Sequence, residues 1–393
     1  MRIRYKIFNK VTVAAFLAIF LAACGSATTA GDDGEGPVRI GWMGPLTGTQ
    51  APWGTSESSA VQMFFDQLNE EGGLLGRQVE VVALDNQADA LETINIVNRL
   101  ATLENVFAII GTNASGPAIA SAGAVTDHQV PTVATLATNP HVTINPAGGV
   151  NPFNFRATFM DIHEGTVAAG FAFNHLNARR AAILVNMGSD YSQGVAEAFA
   201  NHFTALGGEI ITTEGFNEGD VDFRPQLTSI NNTDPDLIFK PVFFNDAALA
   251  SQQSRELGIT AILMGAGAWP SALLYEMSGG AVEGAYVVHH LDTSDPDVAW
   301  LRDMYMERFD REPEINLFLA WDAATMIVEA VERAGSFDRV AIRDEILNTN
   351  FVGVTGPIII SPETNSPEGK QAAILTIQDG EFVFVQNYIP TLP

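Results

Sequence analysis

One cysteine, Cys24, stands among 393 residues. No intrachain disulfide can form, so stability must come from a packed core. Lysine is almost as scarce: after Lys6 and Lys10 only Lys240 and Lys370 follow. Four of the 20 basic residues fall within the first ten positions, which leaves 16 against 46 acidic residues and a net charge of −30 for the rest. Such a surface repels phosphate, which disfavours nucleic acid as a partner. The acidity suits a salty habitat and an ordinary exported protein equally well. The seven histidines form no metal motif. "DIHEG" (161–165) lacks the second histidine of a zinc-protease helix. His289 and His290, ahead of Asp292, are neighbours after a strand-like run and point to opposite faces. No metal, cofactor or catalytic residue is expected.

The chain opens with an address. Arg2, Arg4, Lys6 and Lys10 precede an apolar run from Val11 to Leu21. That run is short of the ~20 residues of a membrane span and reads as a signal segment over 1–23. Leu21-Ala22-Ala23-Cys24 then resembles a bacterial lipobox, in which Cys24 is lipidated and becomes the mature N-terminus. The bland alternative is a plain cleaved signal with a chance cysteine. Residues 24–37, rich in Gly, Ser, Thr and Asp, read as a flexible tether. The expected location is outside the cytoplasm, lipid-anchored to a bacterial membrane.

From Val38 onward, short apolar runs alternate with helix-spaced patterns. Strands are expected at 38–44, 79–84, 107–111 and 130–136, with helices at 55–71, 91–103 and 117–127 between them. The pattern restarts with strands at 181–187, 209–214, 236–244 and 261–265. Helix Gln193 to Leu206 follows the first of these, and Ala247 to Leu257 the third. Such alternation predicts an α/β fold of two similar doubly wound lobes with parallel sheets. In each half a helix ends at paired glycines, Gly72-Gly73 and Gly207-Gly208. Two helices (298–309, 317–334) and two hairpin-like segments, "GVTGPIIIS" and "QAAILTIQDGEFVFVQ", complete the chain, the second turning at Asp379-Gly380.

In open α/β sheets, ligands bind beyond the carboxyl ends of strands. "GTNASG" (111–116) sits at such an end and opens a helix, where unpaired N–H groups and the dipole favour an anion. It is no Walker loop, dinucleotide fingerprint or nucleophile elbow. Taken alone, Ser115 is better read as a helix cap with no ligand. "TLATNP" (135–140) lies past the next strand and adds Thr138. Together the two tips make a carboxylate clamp.

The ordered set "VRIGWMGPLTGTQAPWG", "AIIGTNASGPA", "PTVATLATNP" and "NPFNFRATFMDIHEG" resembles the substrate-binding lipoproteins of ABC transporters in the branched-chain amino acid group. The resemblance spans nearly all of residues 38–390. It implies two Rossmann-like lobes joined by three crossings, a type I periplasmic binding protein clamshell. The lobes are expected at 38–156 with a return at 289–352, and at 157–288 with 353–393. It also implies that Ser115, Thr138 and the backbone of Leu136 and Ala137 hold a ligand carboxylate, with Trp53 as an aromatic cover. Tyr191 and Phe243 or Phe244 would close from the second lobe. The implied partners are a permease with its ATPase, and the membrane through Cys24, with the binding protein itself a monomer.

One feature departs from the family pattern. The acid that pairs with a ligand ammonium is matched here by Gly267, with Trp269 beside it to fill the space. Asp161 and Asp246 are the nearest acidic substitutes, each with an ordinary reading as a helix-start residue. Two other classes remain: a ligand sensor, and an exported hydrolase using Ser115 with His128 or His163.

Overall fold

The computed structural model describes residues 36–389; the signal segment, Cys24 and nearly all of the tether lie outside them. The first sheet carries five strands in the order β2-β1-β3-β4-β5, all parallel. These are β1 Val38–Gly44, β2 Val79–Asp85, β3 Ile109–Ile110, β4 Thr132–Ala134 and β5 Asn154–Arg156. The intervening helices are α1 Ala51–Glu70, α2 Ala90–Thr102 and α3 Ser115–Asp127. The second sheet has the order β15-β14-β10-β9-β8-β6-β7. Its parallel part comprises β6 Arg180–Asn186, β7 Glu209–Phe216, β8 Leu237–Lys240, β9 Ile262–Gly265 and β10 Tyr286–His289. Helices α4 Asp161–Asn174, α5 Asp190–Ala205, α6 Arg224–Asn231, α7 Phe244–Glu256 and α8 Leu274–Met277 connect these strands. The central strands are mostly apolar because helices cover both faces.

The chain then returns to the first lobe through α9 Pro296–Phe309, α10 Asn316–Ala334 and α11 Arg339–Ile346. α10 packs on α1, and Arg339 of α11 donates to the Ala101 and Val106 carbonyls. Strands β11 Asn350–Gly353, β12 Gly356–Ser361 and β13 Ser366–Glu368 form their own antiparallel sheet. Asn365 ties this sheet to the first lobe by donating to Asn151 O and Asn154 O. Only β14 Ala372–Gln378 and β15 Glu381–Tyr388 join the second sheet, both antiparallel. The expected assignment of all of 353–393 to the second lobe therefore fits only the last hairpin. Apolar alternation specifies a hairpin but not the sheet it joins.

The run 236–244 is also shorter as a strand than expected. Pro241 has no N–H for the ladder, so β8 stops at Lys240 and Phe244 already starts α7. The paired-glycine signal holds at α1, where a Cβ on Gly73 (φ +77°) would lie 2.1 Å from Arg77 O.

Both lysines in the described residues are buried. Lys240 Nζ donates to Ser251 Oγ (2.7 Å), and Lys370 Nζ to Thr355 O (3.1 Å). Glu57 of α1 is likewise buried, taking Trp42 Nε1–H (3.1 Å) and Asn316 Nδ2–H (3.0 Å). Burial pushes its carboxyl up to about 7.

Arg156, at the end of β5, shapes the loop after β4. Fully buried, it donates from Nη1 to Ala137 O (3.0 Å) and from Nη2 to Asn139 O (2.8 Å) and Thr143 Oγ1 (3.1 Å). Arg156→Met would strand all three acceptors. It should cost about 3–5 kcal/mol in urea-denaturation stability.

Candidate ligand site

The strand tips of the two lobes meet around a cavity of about 10 Å³, lined by the loops after β3, β4 and β9, by α4 and α5, and by residues flanking α7 and β10. That volume accommodates about one water molecule, so a larger occupant enters only with the lobes apart. They are closed here. Trp53 meets the rings of Phe243 (5.5 Å, edge-on) and Phe244 (5.4 Å), and Asn139 Nδ2 donates to Asp190 O (2.9 Å). Ser271 Oγ, after β9, donates to Glu314 Oε1 (3.0 Å) before α10. Burial pushes Glu314 up to about 7.

The first lobe presents donors. Ser115 begins α3, whose first-turn N–H groups have no intrahelical partner. Its Oγ accepts from Asn139 N (3.2 Å), which leaves its proton for another acceptor. Thr138 Oγ1 is buried without a partner, as are both amide atoms of Asn113. A carboxylate at this point would meet hydroxyls, N–H groups and a helix N-terminus together.

The second lobe presents an acid. Glu164, one turn into α4, reaches the space beside Gly267. Its Oε1 accepts from Gly267 N and from the Tyr191 hydroxyl (3.2 Å), and Tyr191 Oη accepts from Ala268 N (3.3 Å). Oε2 is buried without a partner. A Cβ at position 267 would lie 2.9 Å from Glu164 Oε1 and 3.0 Å from His290 Nε2, so only glycine leaves this room. Burial pushes Glu164 up to about 7. Burial, and then the neighbouring carboxylates, hold Tyr191 well above the usual phenol range, so it stays a donor. His290 stacks on Phe159 (4.3 Å) and sets Nδ1 against Thr158 Oγ1 (3.1 Å); burial keeps it neutral.

Of the residues singled out in the sequence, Ser115, Leu136, Thr138, Tyr191, Phe243 and Gly267 line the cavity together. Trp53 stands one layer behind, against Phe243. Phe244 touches Trp53 but not the cavity, which separates the two phenylalanines. Ala137 faces a small apolar cluster with Ala118, Ala134 and Val142. Trp269 does not fill the space beside Gly267. Its ring lies over Gly265, and its Nε1 donates to Lys240 O (2.8 Å), because the indole needs a partner in the core. Neither Asp161 nor Asp246 reaches the cavity. Asp161 faces an outer groove. Asp246 is raised to about 6 by burial and by Glu218.

Glu164, Asn113, Ala114, Ala268 and His290 line the site without having been named for it. The "DIHEG" segment held a clue: an acid three residues after Asp161 shares its side of the helix.

The family model described as periplasmic binding protein matches residues 37–381. The chain belongs to the periplasmic binding protein family. A leucine-binding protein structure from Thermotoga maritima is 32% identical with a TM-score of 0.83, covering 90% of this chain and 99% of that one. The branched-chain amino acid transporter substrate-binding protein LivJ of Streptococcus pneumoniae, solved with isoleucine, is 27% identical with a TM-score of 0.81 (89% and 99% covered). A Pseudomonas aeruginosa protein that binds leucine, isoleucine, valine, threonine and alanine is 23% identical over 342 residues, 87% of this chain and 89% of its own length. A solute-binding protein from R. palustris in complex with benzoate shares the fold at 20% identity and a TM-score of 0.80 (91% and 98% covered). The periplasmic binding protein described here is thus a solute-binding component of the kind that serves ABC transporters, built on two Rossmann-like α/β lobes.

The buried carboxyls give this binding protein a signed pH response. Glu57, Glu164 and Glu314 are each raised from 4.5 to about 7. Between those values the folded form holds protons that the unfolded chain releases, so stability falls as pH rises from 4.5 to 7 and then levels off. Thermal melts of the ligand-free protein should show that fall, and Glu164→Gln should make it shallower.

Proposed function

We propose that the protein is exported, lipid-anchored through Cys24, and captures a small carboxylate-bearing solute of the branched-chain amino acid type for delivery to an ABC permease. The clamp at Ser115 and Thr138 takes the carboxylate. Glu164 takes the ammonium, on the oxygen that lacks a partner, in the space Gly267 leaves. That pairing carries the reading: a cationic group at Oε2 would relieve an uncompensated buried charge whose exposure to breakage is worth about 3–5 kcal/mol. The aromatic set Trp53, Phe243 and Tyr191 supplies the apolar contacts from both lobes, so closure follows from contacts that only the closed form makes. Binding proceeds without chemistry: the neighbour of Ser115 Oγ is a backbone N–H, not an imidazole. A sensing role would use the same closure, and loss of solute uptake on deleting the gene would set it aside.

Leucine and 4-methylpentanoate, which lacks the amino group, separate the amino acid from the plain acid. By calorimetry near pH 7, leucine should bind with proton release, because its ammonium pulls Glu164 back below 7. Glu164→Gln should weaken leucine roughly tenfold or more, while Ser115→Ala weakens both compounds. If 4-methylpentanoate matches leucine and Glu164→Gln changes neither, the ligand is an organic acid without an ammonium group.

A further inference from the structure

Asp161 has no part in the central cavity, yet it is fully buried, and neither carboxylate oxygen makes a well-formed hydrogen bond, the nearest donors being the Thr138 and Asn139 side chains. It lines a separate groove of about 510 Å³, walled by Asn139 and the turn at 140–142 from the first lobe and by α4 and α5 from the second. Small-molecule sites span about 300–1,000 Å³. On α5, Gly194, Glu197 and Asn201 recur at helical spacing along the groove wall. Gly194 keeps the carboxylate at the floor: a Cβ there would lie 2.1 Å from Asp161 Oδ2 and 3.0 Å from Asn139 Nδ2. No lysine or arginine lines the groove. Arg156, the cation that acts on Asp161 from behind, has both terminal nitrogens committed to Ala137, Asn139 and Thr143. His202, also on the wall, has Nε2 buried without a partner, and burial keeps its ring neutral.

We propose that this groove is a second binding site, for a small organic cation whose primary ammonium seats on Asp161. Two acidic side chains, Asp161 on the floor and Glu197 on the exposed lip, face it, and no lysine or arginine stands on its walls; burial holds the Asp161 carboxyl well above the usual carboxylate range, and an ammonium seated there would draw it back down. Arg156 compensates this buried carboxylate only in part, because its guanidinium is committed to other acceptors, and an ammonium would offset the remaining cost. A linear diamine could place its second ammonium near Glu197. Because the walls come from both lobes, the occupant favours the closed arrangement and, by reciprocity, strengthens whatever the central cavity holds.

The probe is 1,5-diaminopentane, titrated calorimetrically into the folded protein at about 0.15 M salt to screen diffuse attraction, with 1,5-pentanediol as the neutral control. The diamine should bind and the diol should not. Asp161→Asn should weaken the diamine roughly tenfold or more. Asn201→Trp, which obstructs the groove from its exposed side, should weaken it comparably and serves as the deciding variant if Asp161→Asn fails to fold. Saturating leucine should not displace it. No heat with the diamine, undiminished binding by both groove variants, or displacement of the diamine by saturating leucine would each overturn the proposal, the last by placing the diamine in the central cavity.

Discussion

Glu164 commits one carboxylate oxygen to the Gly267 N–H and the Tyr191 hydroxyl and leaves the other without a partner. Three separate pieces of the second lobe, α4, the start of α5 and the loop after β9, converge on that one group. Their convergence sets the shape of the cavity, because the carboxylate occupies the volume a side chain at 267 would need. The phenol is held as a donor by the same burial that disfavours its ionisation. An acid supplied from a helix start and a glycine supplied from a strand tip are therefore a single feature divided between distant parts of the chain.

The loop after β9 links this centre to the first lobe. Gly267 and Ala268 give their N–H groups to the cavity wall, and four residues on, Ser271 reaches Glu314 across the lobes. On the opposite rim, Asn139 binds Ser115 within its own lobe and Asp190 in the other. Whatever moves either loop alters the cavity wall and the lobe contacts together. This coupling gives closure its sensitivity to an occupant without any long-range relay.

The architecture was legible in the chain because period and punctuation differ sharply between buried parallel strands and amphipathic helices. Two lobes followed from the alternation of elements, and Ser115 and Thr138 were placed at adjacent strand tips by the same order, whereas Tyr191 came only with the family resemblance; all three line the cavity. The errors share a cause. Gly267 drew attention as a position without an acid, but the buried acid that stands beside it, Glu164, lies about a hundred residues upstream, and only the fold brings α4 beside the β9 loop. Trp269 was placed in the site because it is adjacent in sequence, whereas its indole N–H needed the Lys240 carbonyl inside the core. The hairpin at 353–361 gave no sign of its lobe, since the anchor is an asparagine, Asn365, outside the apolar pattern.

Lys240 and Lys370 point inward, and each holds a hydroxyl or carbonyl group that its own lobe or crossing supplies. Positive charge on the described surface is accordingly borne by guanidinium and not by ε-amines. Reagents that acylate amines at neutral pH would leave the folded body untouched and mark it once it opens. Covalent coupling to an amine-reactive support would thus report the loss of structure, and labels intended for the native form would have to be directed at carboxylates instead.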